Sequence, residues 1–299
     1  MIEIKNLSKA FEKNFALKKL NFQVGDGSVF ALVGSNGSGK STLLRTISGV
    51  YQPTAGDVLI DGKPIFENPQ LKDQVYFVAD VPFFYNGTTL DNASNLLSKI
   101  YSGWSEETYL RLCSIFPIDR RGKLINMSKG MQRQASLILA LSAKPKYLLL
   151  DEIFDGLDPV IRRLVKQLII NDVSDRGMSV IIASHNMREL EDICDHIAFL
   201  HRGNLVVEDD VDEIKTQVHK FHAAFDRNFE QDEIIGGLEI LNIKRSGNLI
   251  SFTAKGNKED IEKIIKAQEP IFMESLPLTL EEIFMCEMEV AGYDIENIK

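Results

Sequence analysis

Gly34-Ser35-Asn36-Gly37-Ser38-Gly39-Lys40-Ser41 is the stretch on which the fold turns. It matches G-x-x-x-x-G-K-[ST] in full, and Thr42 follows it. An apolar run, Val29–Val33, enters it as a strand, and a helical pattern, Ser41–Ser48, leaves it. Glycines let backbone N–H groups turn inward around an anion where side chains would block them. The helix start adds dipole attraction for phosphate. In such a cradle Lys40 reaches the β- and γ-phosphates of a nucleotide, and Ser41 offers a hydroxyl to Mg²⁺.

Two further strand ends point to the same place. Tyr147-Leu148-Leu149-Leu150-Asp151-Glu152 is an apolar strand that ends in two carboxylates. In open α/β sheets ligands sit at the carboxyl ends of strands, where the Gly34 loop also lies. Asp151 is expected to hold Mg²⁺ through its water shell, and Glu152 to orient and polarise the attacking water. Val180–Ala183 runs into Ser184-His185. A lone His is usually structural; at a strand end of this sheet, His185 is placed to donate to the γ-phosphate.

Between these runs lie helical patterns at Thr89–Tyr101, Ser105–Phe116, Lys129–Ser142 and Val160–Ser174. Residues 84–145 are mostly helical and interrupt the strand–helix alternation. The reading is an α/β phosphate-loop nucleoside-triphosphatase core over 1–215, with a β-rich N-terminal part and a helical insert. After the charged segment Glu208–Lys215 the pattern changes. Strands at Phe221–Phe225, Leu238–Ile243 and Leu249–Ala254, with helices at Lys258–Gln268 and Thr279–Val290, make 216–299 a small α+β domain.

Bulk properties limit the partners. The formal net charge of −9 makes nucleic acid and anionic lipid unattractive partners. The 3 cysteines, Cys113, Cys194 and Cys286, have no metal-ligand spacing and suit a reducing cytosol. The N-terminus is polar and strand-like, unlike a signal peptide, and no apolar stretch is long enough to span a bilayer. A membrane role therefore needs a partner.

With these motifs in order, residues 1–210 closely resemble the nucleotide-binding subunits of ABC transporters. Gly34–Thr42 resembles Walker A, and Leu148–Glu152 Walker B with its catalytic Glu. Met127-Ser128-Lys129-Gly130-Met131 falls at the LSGGQ signature, Asp155-Gly156-Leu157-Asp158 at the D-loop, His185 at the switch histidine and Asp80 at the Q-loop. The resemblance implies that two subunits sandwich two MgATP, the signature of one facing the Walker A of the other. Ser128 and Gly130 would touch the opposing γ-phosphate, with Ser128 as N-cap of the helix behind it. Phe11 sits where the family stacks an aromatic on adenine; Phe15 is a second candidate, and core packing stays open for both. The partners implied are a transmembrane permease and a second copy or a paralogous subunit, at the cytoplasmic face of the cell membrane.

Three residues depart from the family pattern. Lys129 replaces the first signature Gly and Met131 its Gln; S-K-G-M forms resemble a subgroup that works with separate permeases. Asp80 replaces the Q-loop Gln, and is expected to contact the metal shell through a water. Val81-Pro82-Phe83-Phe84-Tyr85 follows where the family receives a permease helix, and either a docking floor or core packing accounts for it. Thr279–Phe284 is a capped amphipathic helix start that resembles the tail of exporter-type subunits. Its domain fits simple packing, homodimer contact or regulation. Translation-type relatives carry two nucleotide domains and basic linkers, and DNA-repair relatives insert long coiled coils; neither feature occurs here. Glu152 and His185 argue against a regulator that binds ATP without hydrolysing it.

Overall fold

The computed structural model describes residues 1–226 and 236–290. The chain forms two compact units, Met1–Glu208 and Asp209–Lys299. The boundary read from sequence at 215/216 thus lies slightly too late. Helix Val211–Gln217, with Val211 and Ile214 buried, runs straight into strand Val218–Ala224.

The first unit is built on two sheets. One is antiparallel, ordered β2-β1-β4-β5, from β1 (Ile2–Phe11), β2 (Asn14–Val24), β4 (Ala55–Ile60) and β5 (Lys63–Pro64). The other is ordered β10-β9-β3-β8-β7-β6, from β3 (Val29–Val33), β6 (Val75–Val78), β7 (Tyr147–Asp151), β8 (Ser179–Ser184), β9 (His196–His201) and β10 (Asn204–Asp210). β6, β7, β8, β3 and β9 pair in parallel. Every residue of β3, β7 and β8 is buried, which is why these strands read as unbroken apolar runs. Their crossover order puts the C-terminal ends of β3, β7 and β8 side by side.

Helix α1 (Lys40–Ile47) follows β3 and buries Leu43, Leu44 and Ile47 in the core between the sheets. A short turn of helix, α2 (Pro69–Lys72), precedes β6. The helical layer then comprises α3 (Leu90–Leu97), α4 (Glu106–Ile115) and α5 (Lys129–Ser142). Thr89, Ser105 and Ser128 cap them, each accepting from the backbone N–H three residues on. The helix expected to reach Tyr101 ends at Leu97. Tyr101 leaves the helical path and packs its ring on Tyr76, centroids 5.0 Å apart, while the Ser102 N–H donates to Asp73. Helix α6 (Pro159–Arg176), capped by Asp158, leads back to β8.

The second unit is a four-stranded antiparallel sheet ordered β12-β13-β11-β14. Its strands are β11 (Val218–Ala224), β12 (Glu239–Ser246), β13 (Leu249–Lys255) and β14 (Phe272–Leu276). Its helices are α7 (Val211–Gln217), α8 (Lys258–Lys266) and α9 (Leu280–Val290). Phe221, Phe225, Phe252, Ile261 and Ile265 form a core of its own. The expected cap on α9 is reciprocal: the Glu282 N–H donates to Thr279 Oγ1, and the Thr279 N–H donates to Glu282 Oε2.

Candidate nucleotide-binding site

The loop 34–39 leaves β3 and enters α1 with its glycines fixed by geometry. A Cβ on Gly34 would lie 2.3 Å from the Leu200 carbonyl oxygen and 2.6 Å from Ser38 Oγ. Gly39 stands at φ 114°, and a Cβ there would meet the Ala16 carbonyl at 2.7 Å. Neither position admits a side chain. The loop and the start of α1 line a cavity of about 220 Å³ with Asn36, Gly37, Ser38, Lys40, Ser41 and Thr42, closed by Ala16, Asp80 and Glu152. Whole-ligand pockets begin near about 300 Å³. The cavity therefore suits the triphosphate end of a nucleotide, with base and ribose left outside.

Lys40 is buried in this cradle, its Nζ donating to the Gly34 carbonyl at 2.6 Å and to the Ser35 carbonyl at 3.3 Å. The same Nζ lies 3.4 Å from Glu152 Oε1. On its other oxygen, Glu152 Oε2 is 2.9 Å from His185 Nδ1 and accepts the His185 backbone N–H at 3.2 Å. Glu152 adopts φ 48°, a left-handed conformation that costs a non-glycine residue about 1–3 kcal/mol. Its own N–H, held at 2.9 Å by the Ala183 carbonyl of β8, keeps it there.

Asp151 ends β7 with 0% exposure, and neither carboxylate oxygen makes a hydrogen bond of normal geometry. Burial pushes its pKa up. The nearby Ser41 hydroxyl acts the other way, and the negative charges of Glu152 and Asp80 add to the rise. A buried carboxylate without donors beside a serine hydroxyl and an anion cradle fits an oxygen-seeking cation such as Mg²⁺. Ser38 Oγ is likewise buried without a partner. These orphaned oxygens, together with the cradle, favour a charged, metal-bridged ligand.

The other expected residues fall into two groups. Phe11 and Phe15 are both exposed, so neither serves the core. Phe11 stands edge-on to Tyr51, centroids 5.3 Å apart, with Lys9 Nζ over its ring. Ser128 caps α5 by accepting the Met131 N–H at 3.3 Å, and Lys129 is exposed beside it. Gly130 has a role within the subunit: a Cβ on it would stand 2.8 Å from the Gly156 carbonyl oxygen of the segment after Glu152. Asp80 lines the cavity, but its Oδ1 accepts from Arg133 Nη2 at 2.5 Å.

Sequence reading missed Arg133 and the proximity of Asp155. Carboxylate and imidazole atoms of Glu152, Asp155 and His185 lie within 4.8 Å of one another. Arg133 was detectable as a lone charge on the apolar face of α5, in line with Leu137 and Ala140, where a cation needs a partner.

This geometry meets its relatives directly. The family model described as "ABC transporter" matches residues 17–155. One described as "AAA domain, putative AbiEii toxin, Type IV TA system" matches residues 123–191. The chain is 31% identical over 287 residues to the ABC transporter ATP-binding protein YtrB of Bacillus subtilis strain 168, covering 96% of this chain and 98% of that one. The chain belongs to the ABC transporter ATP-binding family. As an ABC ATP-binding subunit it is also similar to the lantibiotic transport ATP-binding protein SrtF of Streptococcus pyogenes, 31% identical over 71% of this chain and 92% of that one. A solved ATP-binding subunit of an ABC transporter superposes with TM-score 0.67 at 27% identity, over 72% of this chain and 92% of that one. A bacterial ABC transporter cassette solved as a dimer, 23% identical, shares the fold with TM-score 0.62 over 71% of this chain and 99% of that one. The match to YtrB runs through both compact units of this ABC subunit. Among the described residues, no helix is long and apolar enough to cross a membrane.

Proposed function

We propose that this subunit hydrolyses MgATP in the Gly34–Ser41 cradle while paired with a second nucleotide-binding subunit, and that the cycle drives a separate permease at the cytoplasmic face of the membrane. One observation carries the reading: the Glu152 carboxylate sits between Lys40 and His185 at the mouth of the cradle. There Lys40 and the loop N–H groups hold the phosphates. Ser41 and Asp151 would hold Mg²⁺, which draws charge from the phosphoryl oxygens. Glu152 orients the attacking water and takes its proton, and His185 donates toward the transferred phosphoryl group. Phe11 or Phe15 offers an exposed ring to the base.

The signature helix supports the pairing. The start of α5 presents Ser128, Lys129 and free N–H groups on an exposed edge, the pole that attracts phosphate. Docking on a permease is supported by Val81, Phe83 and Tyr85, which are 73%, 79% and 75% exposed. Aromatic rings left this open suit an apolar contact with another chain. The names of the relatives SrtF, for lantibiotic transport, and BcrA, for bacitracin transport in Bacillus licheniformis, support transport as the work of this subunit.

The test is Glu152→Gln. Turnover should fall by at least about a hundredfold while MgATP still binds, so size-exclusion chromatography with light scattering should find an ATP-dependent dimer. A variant that stays monomeric with saturating MgATP, or that hydrolyses at the original rate, would falsify the proposal.

A further inference from the structure

Arg133 stands on the buried face of α5, where a cation is costly unless it is paired. Its guanidinium spans two segments distant in sequence. Nη2 donates to Asp80 Oδ1 at 2.5 Å and to the Asp80 carbonyl at 3.1 Å, while Nη1 donates to the Asp155 carbonyl. Nε meets no partner. The planar fork thus holds Asp80, two residues past the end of β6, with one arm and the loop after Glu152 with the other. That loop is also pressed from below, since Gly156 packs 2.8 Å from where a Gly130 side chain would start. A second arginine repeats the pattern at the other end of the loop. Arg162 Nη2 donates to the Leu157 carbonyl at 3.3 Å, and its Nη1 lies 2.8 Å from Glu189, four residues beyond His185.

We infer that Arg133 is a positioning residue that neutralises Asp80 at the phosphate cavity and fixes the Asp155 loop beside Glu152. This rests on the MgATP reading of the cavity. It gives Asp80 a role other than the metal shell: an acid in the cavity wall is tolerated because its charge is spent on Arg133. Without that cation, the carboxylate faces the triphosphate and repels it. Without the fork, the Asp155 loop loses its tether and the water-orienting group drifts. The first loss acts on binding and the second on turnover, so the two separate kinetically.

The experiment is steady-state hydrolysis by the full chain for the unaltered protein, R133M, D80N and the double variant D80N/R133M, with a fluorescent-nucleotide titration beside it. For R133M, KM for MgATP is expected to rise about fivefold. Its kcat should fall about tenfold. In the double variant the repelling charge is gone, so KM should return to within about twofold of the original while kcat stays low. That recovery is something a misfolded core does not produce. A KM unchanged in R133M, or still raised in the double variant, overturns the inference. If R133M does not fold, D80N decides. Its Mg²⁺ requirement should stay within about twofold, and a rise of about tenfold or more would make Asp80 a metal ligand and overturn the inference. Failure of the unaltered protein to bind MgATP would overturn both this inference and the function beneath it, whereas normal binding with no change in R133M overturns this one alone.

Discussion

Gly130→Ala tests whether the signature glycine serves its own subunit. The added Cβ would stand 2.8 Å from the Gly156 carbonyl oxygen, against ordinary contact from 3.4 Å. The obstacle is backbone, so α5 and the Asp155–Asp158 loop must separate by about 0.6 Å, at the cost of roughly 1–3 kcal/mol typical of overpacking. Alanine returns up to about 1 kcal/mol in helix propensity, less at this first turn. The net is a destabilisation of up to about 2 kcal/mol, and for a domain of this size each kcal/mol moves Tm by about 2–4 °C. The assay is thermal unfolding of the subunit without nucleotide, followed by circular dichroism. Tm should fall, by up to about 4–8 °C. If Gly130 mattered only to a phosphate on a facing subunit, the same substitution would raise Tm, because propensity alone would act. Turnover should also drop about tenfold, since the displaced loop carries Asp155 beside Glu152 and His185, and a full 1 Å misplacement costs about a hundredfold. An increase in Tm, or unchanged turnover, would refute the reasoning.

Two other outcomes follow from the site. Asp151 has a folded-state pKa raised by burial, so the folded state holds its proton more tightly than the unfolded one. Stability therefore falls as pH rises from the ordinary 3.8 through the raised value, and the penalty is fully present above it. Asp151→Asn should stabilise the nucleotide-free subunit at neutral pH by roughly 1–2 kcal/mol and remove the extra stabilisation given by Mg²⁺, both read by thermal unfolding with and without MgATP. Replacing Phe83 and Tyr85 together with Ala should leave the isolated subunit within about 0.5 kcal/mol in stability, because both rings are exposed. Loss of co-purification with the permease in that double variant would support docking there, and unimpaired co-purification would place the contact elsewhere.

Much of this molecule was legible in the chain because its signals are local. Val29–Val33 and Lys129–Ser142 were read to the residue, the first as an unbroken apolar run and the second as a capped helix. Val180–Ala183 fell short by one residue at each end, where polar Ser179 and Ser184 extend a buried strand. The Thr279–Glu282 cap was visible for the same reason, since both of its bonds form within one helical turn. Helix α3 was overextended because the fate of Tyr101 depends on Tyr76, which lies outside any local window.

The sequence by itself determined that a phosphate cradle lies between a strand and a helix, and that two carboxylates end one strand and a histidine follows another. Spacing along a chain is enough to decide what backbone N–H groups and strand ends can do. Only the tertiary structure decided how those groups pair. It set Glu152 between Lys40 and His185, left Asp151 without a donor, and tied Asp80 to Arg133. A charge finds its partner across 53 positions of sequence only after the sheet and the helical layer have closed, and no pattern of residues carries that distance.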